Sequence, residues 1–441
     1  MADHQRHVII GDGLAGATAA ETLRAEGAEG PITILGAESS LPYDRPPLIA
    51  NLLQETQGPP ASTHPAGFYD QHGIDLRIAE PAEIVDIYER TVTTSRSVLP
   101  YDQLLLATGS RPRRLDIPGF DLDGIEYLQT ADDAQLITKA ARSAERIIVI
   151  GGGWIASEVG ANLRAAGHRV TLLTTVAAPL ASVLGSEVAS IYRDLHVGHG
   201  VDLRLGESVT AFHGRHGRVT GCETTRSGLL EADLIVVGIG ADPCLEVALL
   251  AGLRIDGGGV AVNRYLMSSA ADVFAAGDIA AAHHPQLEQR IRHPHRETAH
   301  SQGTVAAHNM LGHALPYLNI PYLFSEQYDL RMEYRGYAPT WDQVIVRGLK
   351  RSGRFTAFWL LEGRVLAALN ANVWDECHAL EHLVKNRCRV NPRGLSDVSV
   401  PLSDLLNHES RGIKRGGSDP ATRPGRPLYF RPSTPNRKHR T

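Results

Sequence analysis

Two short glycine-rich turns carry the chemistry for which this sequence can be read. The first is Gly11-Asp12-Gly13-Leu14-Ala15-Gly16, spaced G-x-G-x-x-G directly after the apolar run that starts at His7. Each glycine in such a turn has a mechanical task. Gly11 permits the tight turn, Gly13 lets the backbone approach a pyrophosphate, and Gly16 lets helix and strand pack closely. The helix that follows offers unpaired N–H groups and the positive end of its dipole to phosphate oxygens. Glu38 comes after the next apolar run, Ile32 to Leu35, where a carboxylate can accept hydrogen bonds from ribose hydroxyls. The second turn is Gly151-Gly152-Gly153-Trp154-Ile155-Ala156-Ser157-Glu158, a G-x-G-x-x-A in the same setting. Where an acid would hold the 2′-hydroxyl of a second ribose, this chain has Thr174-Thr175, and no arginine follows closely to hold a 2′-phosphate.

These turns need strands before them and helices after them, and the periodicity supplies both. Ala15 to Glu26 reads as a helix and Ile32 to Leu35 as a strand; Arg146 to Gly151, Trp154 to Ala166 and Arg169 to Leu173 repeat the order. The chain therefore predicts two mononucleotide-binding units. Tyr101 to Ser110, ending in Ala107-Thr108-Gly109-Ser110, reads as a further strand. Ala232 to Gly240, ending in Gly238-Ile239-Gly240, repeats it in the second unit. From about Pro321 alternating patterns such as Asp342 to Gly348 and Phe355 to Leu361 predict a separate α+β domain, with Trp374 in its core. Arg411 to Thr441 holds nine Lys or Arg, five prolines and one acid, a composition that predicts a disordered basic tail.

The 441 residues suffice for two or three domains, and 43% hydrophobic with 21% charged residues is ordinary for a globular chain. A net charge of −5 gives no reason to expect nucleic acid. No apolar run approaches the roughly 20 residues of a membrane helix, and the polar Met1 to Arg6 is no secretory signal, so a cytoplasmic location is expected. Cys222, Cys244, Cys377 and Cys388 are scattered, with no C-x-x-C pair for a redox dithiol or a zinc site. His283, His284, His293, His295, His300 and His308 fit no ligand spacing; a solvated His-rich loop is expected and no metal.

Pro42-Tyr43-Asp44-Arg45-Pro46-Pro47-Leu48, following the first glycine turn and Gly36-Ala37-Glu38, resembles the ferredoxin reductases of oxygenase systems. These belong with the rubredoxin reductases among the FAD-dependent pyridine nucleotide-disulfide oxidoreductases. The resemblance extends to about Leu406 through Ala107 to Pro112, Gly151 to Glu158, Val237 to Gly240, Ala275-Ala276-Gly277-Asp278 and Pro321 to Asp329.

It implies an α/β fold with two Rossmann-like domains and a C-terminal α+β domain. A discontinuous FAD domain would cover 1–112 and 242–318, and an inserted NAD(P)H domain 113–241. The α+β domain would cover 319–406, followed by the tail 407–441. It implies FAD at Gly11, Gly13, Leu14, Ala15, Gly16, Glu38, Arg45, Ala107, Thr108, Gly109, Gln129, Gly277 and Asp278, with Asp278 at the flavin's ribityl chain. It places NADH, with NADPH left open, at Gly151, Gly153, Trp154, Ile155, Ala156, Glu158, Thr174, Gly238, Ile239 and Gly240. The implied partner is a ferredoxin or another small iron–sulfur protein, and the implied assembly a monomer or homodimer. A quinone, oxygen or a small organic acceptor, or a low-turnover flavin-binding role, stays open.

Three positions depart from the family. Its flavin-proximal lysine, which pairs with the glutamate at Glu158, is replaced by Ala50. Its arginine in the Leu-Arg-Thr segment is Gln129, and its flavin-side tryptophan is Phe324. Glu158 is therefore expected to lack its cationic partner.

Overall fold

The computed structural model describes residues 4–45, 62–65, 67–349 and 352–406. Ala50, Pro46 to Leu48 and the tail from 407 lie outside the described residues.

Strand His7–Ile10 sits in the middle of a five-stranded parallel sheet. Its neighbours are Ile32–Leu35, in register Val8↔Thr33, and Gln103–Leu106, in register Val8↔Leu104. Ile74–Arg77 and Val273–Ala275 form the two edges. The last strand returns to this sheet after the whole second unit has intervened, and it delivers Gly277 and Asp278 beside the first glycine turn. All four residues of the central strand are buried, as a strand covered by helices on both faces requires.

The second unit repeats the arrangement. Arg146–Ile150 is flanked by Arg169–Thr174 and Leu234–Val237, with Asp202–Leu205 and Ile125–Tyr127 at the edges, all parallel. The two units are joined through Ser110–Pro112 and Ala241–Pro243, which pair antiparallel as a three-residue ribbon.

The duplication runs further than the glycine turns. Each unit carries a three-stranded antiparallel sheet, Ala82–Asp86 with Thr91–Thr94 and Val98–Pro100 in one, Val209–Arg215 with Arg218–Thr224 and Gly228–Glu231 in the other. Each also buries a glutamate in the same way. Thr94 donates to Glu80 at 2.7 Å and Ser97 at 3.3 Å; Thr224 donates to Glu207 at 2.6 Å and the Ser227 hydroxyl at 3.1 Å. The hydroxyl donors hold both carboxyls below the usual carboxylate range. The backbone N–H of Glu80 donates to Gly36, and that of Glu207 to Thr174, so each glutamate braces the end of the second strand of its unit.

The third domain is an antiparallel sheet in the order Tyr322–Gln327, Leu330–Gly336, Arg364–Ala371, Arg354–Leu361, Gln343–Leu349. One face packs Met332, Phe355 and Trp359 against Leu184, Val188 and Tyr192 of helix Ala181–Gly198 in the second unit. The other packs Phe358, Leu360 and Val365 against Leu380, Leu383 and Val384 of helix Cys377–Lys385. Trp374 lies outside this core at 44% exposure, contrary to expectation, because it falls in the loop after strand Arg364–Ala371.

Candidate active site: two glycine cradles and a shared carboxylate

In the first turn the glycines divide their tasks as the spacing predicts. Gly11 has φ +114°, and a Cβ there would lie 2.1 Å from the Ala107 carbonyl oxygen. A Cβ on Gly16 would lie 2.0 Å from the Gly11 carbonyl oxygen. Both are glycine because backbone occupies the space. Gly13 differs: its φ of −69° suits any residue, and a Cβ would meet nothing within 4 Å. No side chain caps helix Leu14–Ala25, so its first N–H groups face open space above Gly13. An anion fits that cradle by charge and by shape.

The second turn has the same anatomy. Gly151 has φ +142°, and its Cβ would lie 2.2 Å from the Gly238 carbonyl oxygen. Gly153 faces open space at the uncapped start of helix Trp154–Ala165. Ala156 is fully buried, and a Cβ on Gly238 would press on its backbone N at 3.2 Å. Ile155 is partly buried against the core of this unit. Ile239 and Gly240 lead into the joining ribbon, where Arg113 N–H donates to the Gly240 carbonyl at 2.9 Å.

The two units exchange volume beneath their turns. In the first, the Asp12 carboxyl fills the place a Cβ on Gly36 would take, at 2.2 Å; in the second, the Thr174 hydroxyl fills the place above Gly152, at 2.4 Å. Asp12 is almost fully buried, and burial pushes its carboxyl up to about 6.

Glu38 is held from two sides. Tyr43 donates its phenol to Oε2 and Arg45 donates Nη2 to Oε1, both at 2.6 Å. Arg45 also donates to the Gln129 carbonyl at 2.8 Å, while the Tyr43 oxygen accepts from Ala131 N–H at 3.1 Å. One carboxylate thus ties the first cradle to the start of the second unit. Gln129 spends its side-chain amide on the Ser110 carbonyl at 3.0 Å, so the position that differs from the family is used inside the protein. Thr108 donates to the Cys244 carbonyl at 2.7 Å and Gly109 accepts from Cys244 N–H at 3.0 Å. The Ser110 hydroxyl donates to Asp278 Oδ2 at 2.6 Å. Gly277, with φ +79°, donates its N–H to Gln302 at 2.9 Å and lies against Ala15.

Glu158, on the second turn of helix Trp154–Ala165, lacks a basic partner among the described residues but is not alone. Ser325, from the third domain, donates its hydroxyl to Oε1 at 2.6 Å. Burial pushes the Glu158 carboxyl up to about 7, against the lowering effect of that bond. Phe324, 43% exposed, precedes Ser325 on strand Tyr322–Gln327. Trp154 packs edge-on against Tyr192, with ring centroids 6.3 Å apart.

The histidine region is less solvated than expected. His283 and His300 are exposed, but His284 is buried and His293 and His295 are half-buried. Burial lowers His295 to about 4, and its Nδ1 accepts from Glu297 N–H at 3.2 Å as the cap of helix Arg296–Met310. None of the four cysteines forms a disulfide among the described residues.

Two uncapped glycine turns on two parallel sheets, with Glu38 just beyond the second strand of the first unit and Thr174 at the end of the second strand of the other, have the geometry of a protein that binds two dinucleotides. Residues 5–303 match the pyridine nucleotide-disulphide oxidoreductase family and residues 322–406 the reductase C-terminal domain. The chain belongs to this family and is an FAD- and NAD(P)H-dependent oxidoreductase of the ferredoxin reductase type. It is similar to rhodocoxin reductase of Rhodococcus erythropolis, 34% identical over 397 residues that span 90% of this chain and 93% of that protein. Putidaredoxin reductase of Pseudomonas putida is 32% identical over 406 residues, 90% of this chain and 96% of that protein. Among solved structures, the covalent putidaredoxin reductase–putidaredoxin complex matches with a TM-score of 0.88 at 32% identity, over 93% of this chain and all of that one. No helix of the described residues is long and apolar enough to cross a membrane.

Proposed function

We propose that this chain moves electrons from NADH, bound at the second cradle, to FAD, bound at the first, and then to a small iron–sulfur protein that serves an oxygenase. The observation that carries this reading is the pair of open, uncapped helix starts at Gly13 and Gly153, each backed by glycines that admit no side chain. When bound, FAD accepts a hydride from the nicotinamide and releases electrons singly. The protein's part is to bind, orient and shield.

In this reading the first cradle, Glu38 with Arg45, Ala107 to Gly109, Gln129, Gly277 and Asp278 hold FAD. The second cradle, Thr174 and Gly238 to Gly240 hold NADH, and Glu158 with Phe324 borders the reacting rings. The division of the chain into 1–112 with 242–318, 113–241 and 319–406 follows the three large sheets. A cytoplasmic location belongs to the same reading.

The test is anaerobic. NADH should bleach the yellow protein, and the reduced protein should pass electrons to a [2Fe–2S] ferredoxin faster than to a quinone or to oxygen. A yellow protein that NADH leaves yellow would rule the proposal out.

A further inference from the structure

Glu158 is the end of a line of buried polar groups that crosses from the second unit into the third domain. Ser325 donates its hydroxyl to Glu158 Oε1 at 2.6 Å. Gln327 donates Nε2–H to the Ser325 hydroxyl oxygen at 3.4 Å. His196 Nε2 and Gln327 Oε1 are 3.1 Å apart, and because the amide oxygen only accepts, the histidine nitrogen donates. The other ring nitrogen, Nδ1, lies 3.4 Å from the Tyr328 hydroxyl, which can donate to it. Ser325, Gln327 and His196 are each at most 2% exposed. Tyr328 has a left-handed backbone, φ 57°, uncommon for a bulky residue, and its ring stacks on exposed His199 at 3.6 Å. Every donor in this order points toward Glu158, and a neutral His196 carrying its proton on Nε2 completes it.

We propose that Ser325, Gln327 and His196 are positioning residues: a directed hydrogen-bond chain through the third domain that fixes the Glu158 carboxylate and stabilises its charge. The proposal rests on reading Glu158 as the carboxylate that borders the nicotinamide. The chain gives that glutamate a partner where the described residues supply no cation, and it makes the hydride-transfer geometry depend on how strand Tyr322–Gln327 docks.

The groups that face the chain are few. Glu326 raises the Glu158 titration by its charge, and Glu326 is itself paired with Arg331 at 3.0 Å. Tyr192, from helix Ala181–Gly198, is fully buried beside Glu158, and its hydroxyl has no hydrogen-bond partner among the described residues. His199 opposes protonation of His196, and Arg164 stands near Tyr328. Burial holds His196 at about 4, so it stays neutral through the range in which Glu158 titrates.

The experiment titrates Glu158 itself in the flavin-loaded protein, from the carboxyl infrared band that is lost in Glu158→Gln. Ser325→Ala removes a donor to a charged acceptor, so the titration should move up by about one pH unit, a tenfold change in proton affinity. His196→Leu should move it the same way by less. His196→Gln, which keeps an N–H donor, should restore it. In stopped-flow reduction by NADH, His196→Leu should slow flavin reduction roughly fivefold at saturating NADH, the worth of one neutral hydrogen bond, with little change in KM. Flavin content and melting temperature confirm that each variant folds, and Ser325→Ala decides the matter should His196→Leu not fold. An infrared titration unmoved in Ser325→Ala overturns the chain. If wild type bleaches with NADH but the titration ignores both variants, the chain fails and the proposed function stands. If the titration shifts in a protein that NADH does not reduce, the chain stands and the proposed function fails.

Discussion

Replacing Gly13 with alanine should weaken flavin binding by roughly two to four powers of ten without damaging the fold. The added Cβ meets no protein atom within 4 Å, and the backbone there is in a region open to every residue. Two small effects oppose each other: alanine lowers the entropy of the unfolded chain, while it is a poorer N-cap than glycine. The net change in the stability of the flavin-free protein is therefore within about 1 kcal/mol. In the proposed binding mode the same methyl stands in the path of the flavin's pyrophosphate. Displacing the phosphates from two N–H groups, at about 1.5–3 kcal/mol for each charge-assisted bond, gives roughly 3–6 kcal/mol, or two to four powers of ten in Kd. Gly16→Ala is the contrast. Its Cβ would lie 2.0 Å from the Gly11 carbonyl and 3.1 Å from Ile9, so helix and strand must separate, at a cost of about 3 kcal/mol or more. The assay pairs the flavin-to-protein absorbance ratio with thermal unfolding of the flavin-free proteins. A Gly13→Ala protein that keeps its flavin at wild-type affinity would refute the placement of the pyrophosphate. One that loses flavin and fold together would refute the claim that this space belongs to a ligand.

Gly153→Ala should leave the flavin in place and raise KM for NADH by at least about tenfold, by the same steric argument in the second unit; wild type should show only a modest ratio of kcat/KM between NADH and NADPH, since Thr174 offers neither an acid nor a base. Ala50→Lys should speed flavin reduction in single-turnover experiments, and Glu158→Ala should undo that gain. Opposite charges about 4 Å apart attract by roughly 4 kcal/mol at an effective dielectric near 20, before desolvation is subtracted. An unchanged rate and flavin potential, with both nucleotides bound, would show that the charge pair has no place here. Relative to Glu158→Gln, the wild type should lose stability as pH rises from 4.5 to about 7, because the folded state holds a proton on Glu158 that the unfolded chain has released. The full effect is at most about 3 kcal/mol, since one pKa unit is worth about 1.4 kcal/mol. Denaturant titrations of wild type and Glu158→Gln should diverge over that window and run parallel below it.

The glycine turns were legible because their logic is local: a strand, a tight turn and a helix within a few residues. The strand Ile32–Leu35 and the helix starting at Trp154 fall where the periodicity places them. The bonds that assemble the site were not legible, because they span the chain. Ser110 reaches Asp278 across 168 residues and Ser325 reaches Glu158 across 167. No periodicity encodes such a pairing. The buried glutamates Glu80 and Glu207 are an intermediate case. Their partners lie in Thr94-Ser95-Arg96-Ser97 and Thr224-Thr225-Arg226-Ser227, a T-x-R-S repeat that marks the duplication and could have been found. Trp374 departs from expectation because a large aromatic is usually core, whereas here strand Arg364–Ala371 has already ended.

The two cradles lie in separate parallel sheets, so the distance between their ligands is not set by either sheet. The direct link is slender: two paired three-residue strands, with Arg45 bridging Glu38 to Gln129. The third domain supplies the rest. Helix Ala181–Gly198 breaks at Gly185, with φ 75°, where a Cβ would press on Trp341 of that domain at 3.1 Å. Trp359 donates its indole N–H to the Leu184 carbonyl one residue earlier, at 3.2 Å. The broken helix therefore forms a socket for two tryptophans, and the next stretch of the same helix presents Tyr192 and His196 to the Glu158 chain. Packing that orients the second unit and hydrogen bonds that orient its carboxylate thus come from one interface. A change that loosens the Trp359 socket should then disturb Glu158, and with it the proposed nicotinamide site, before it disturbs either glycine cradle.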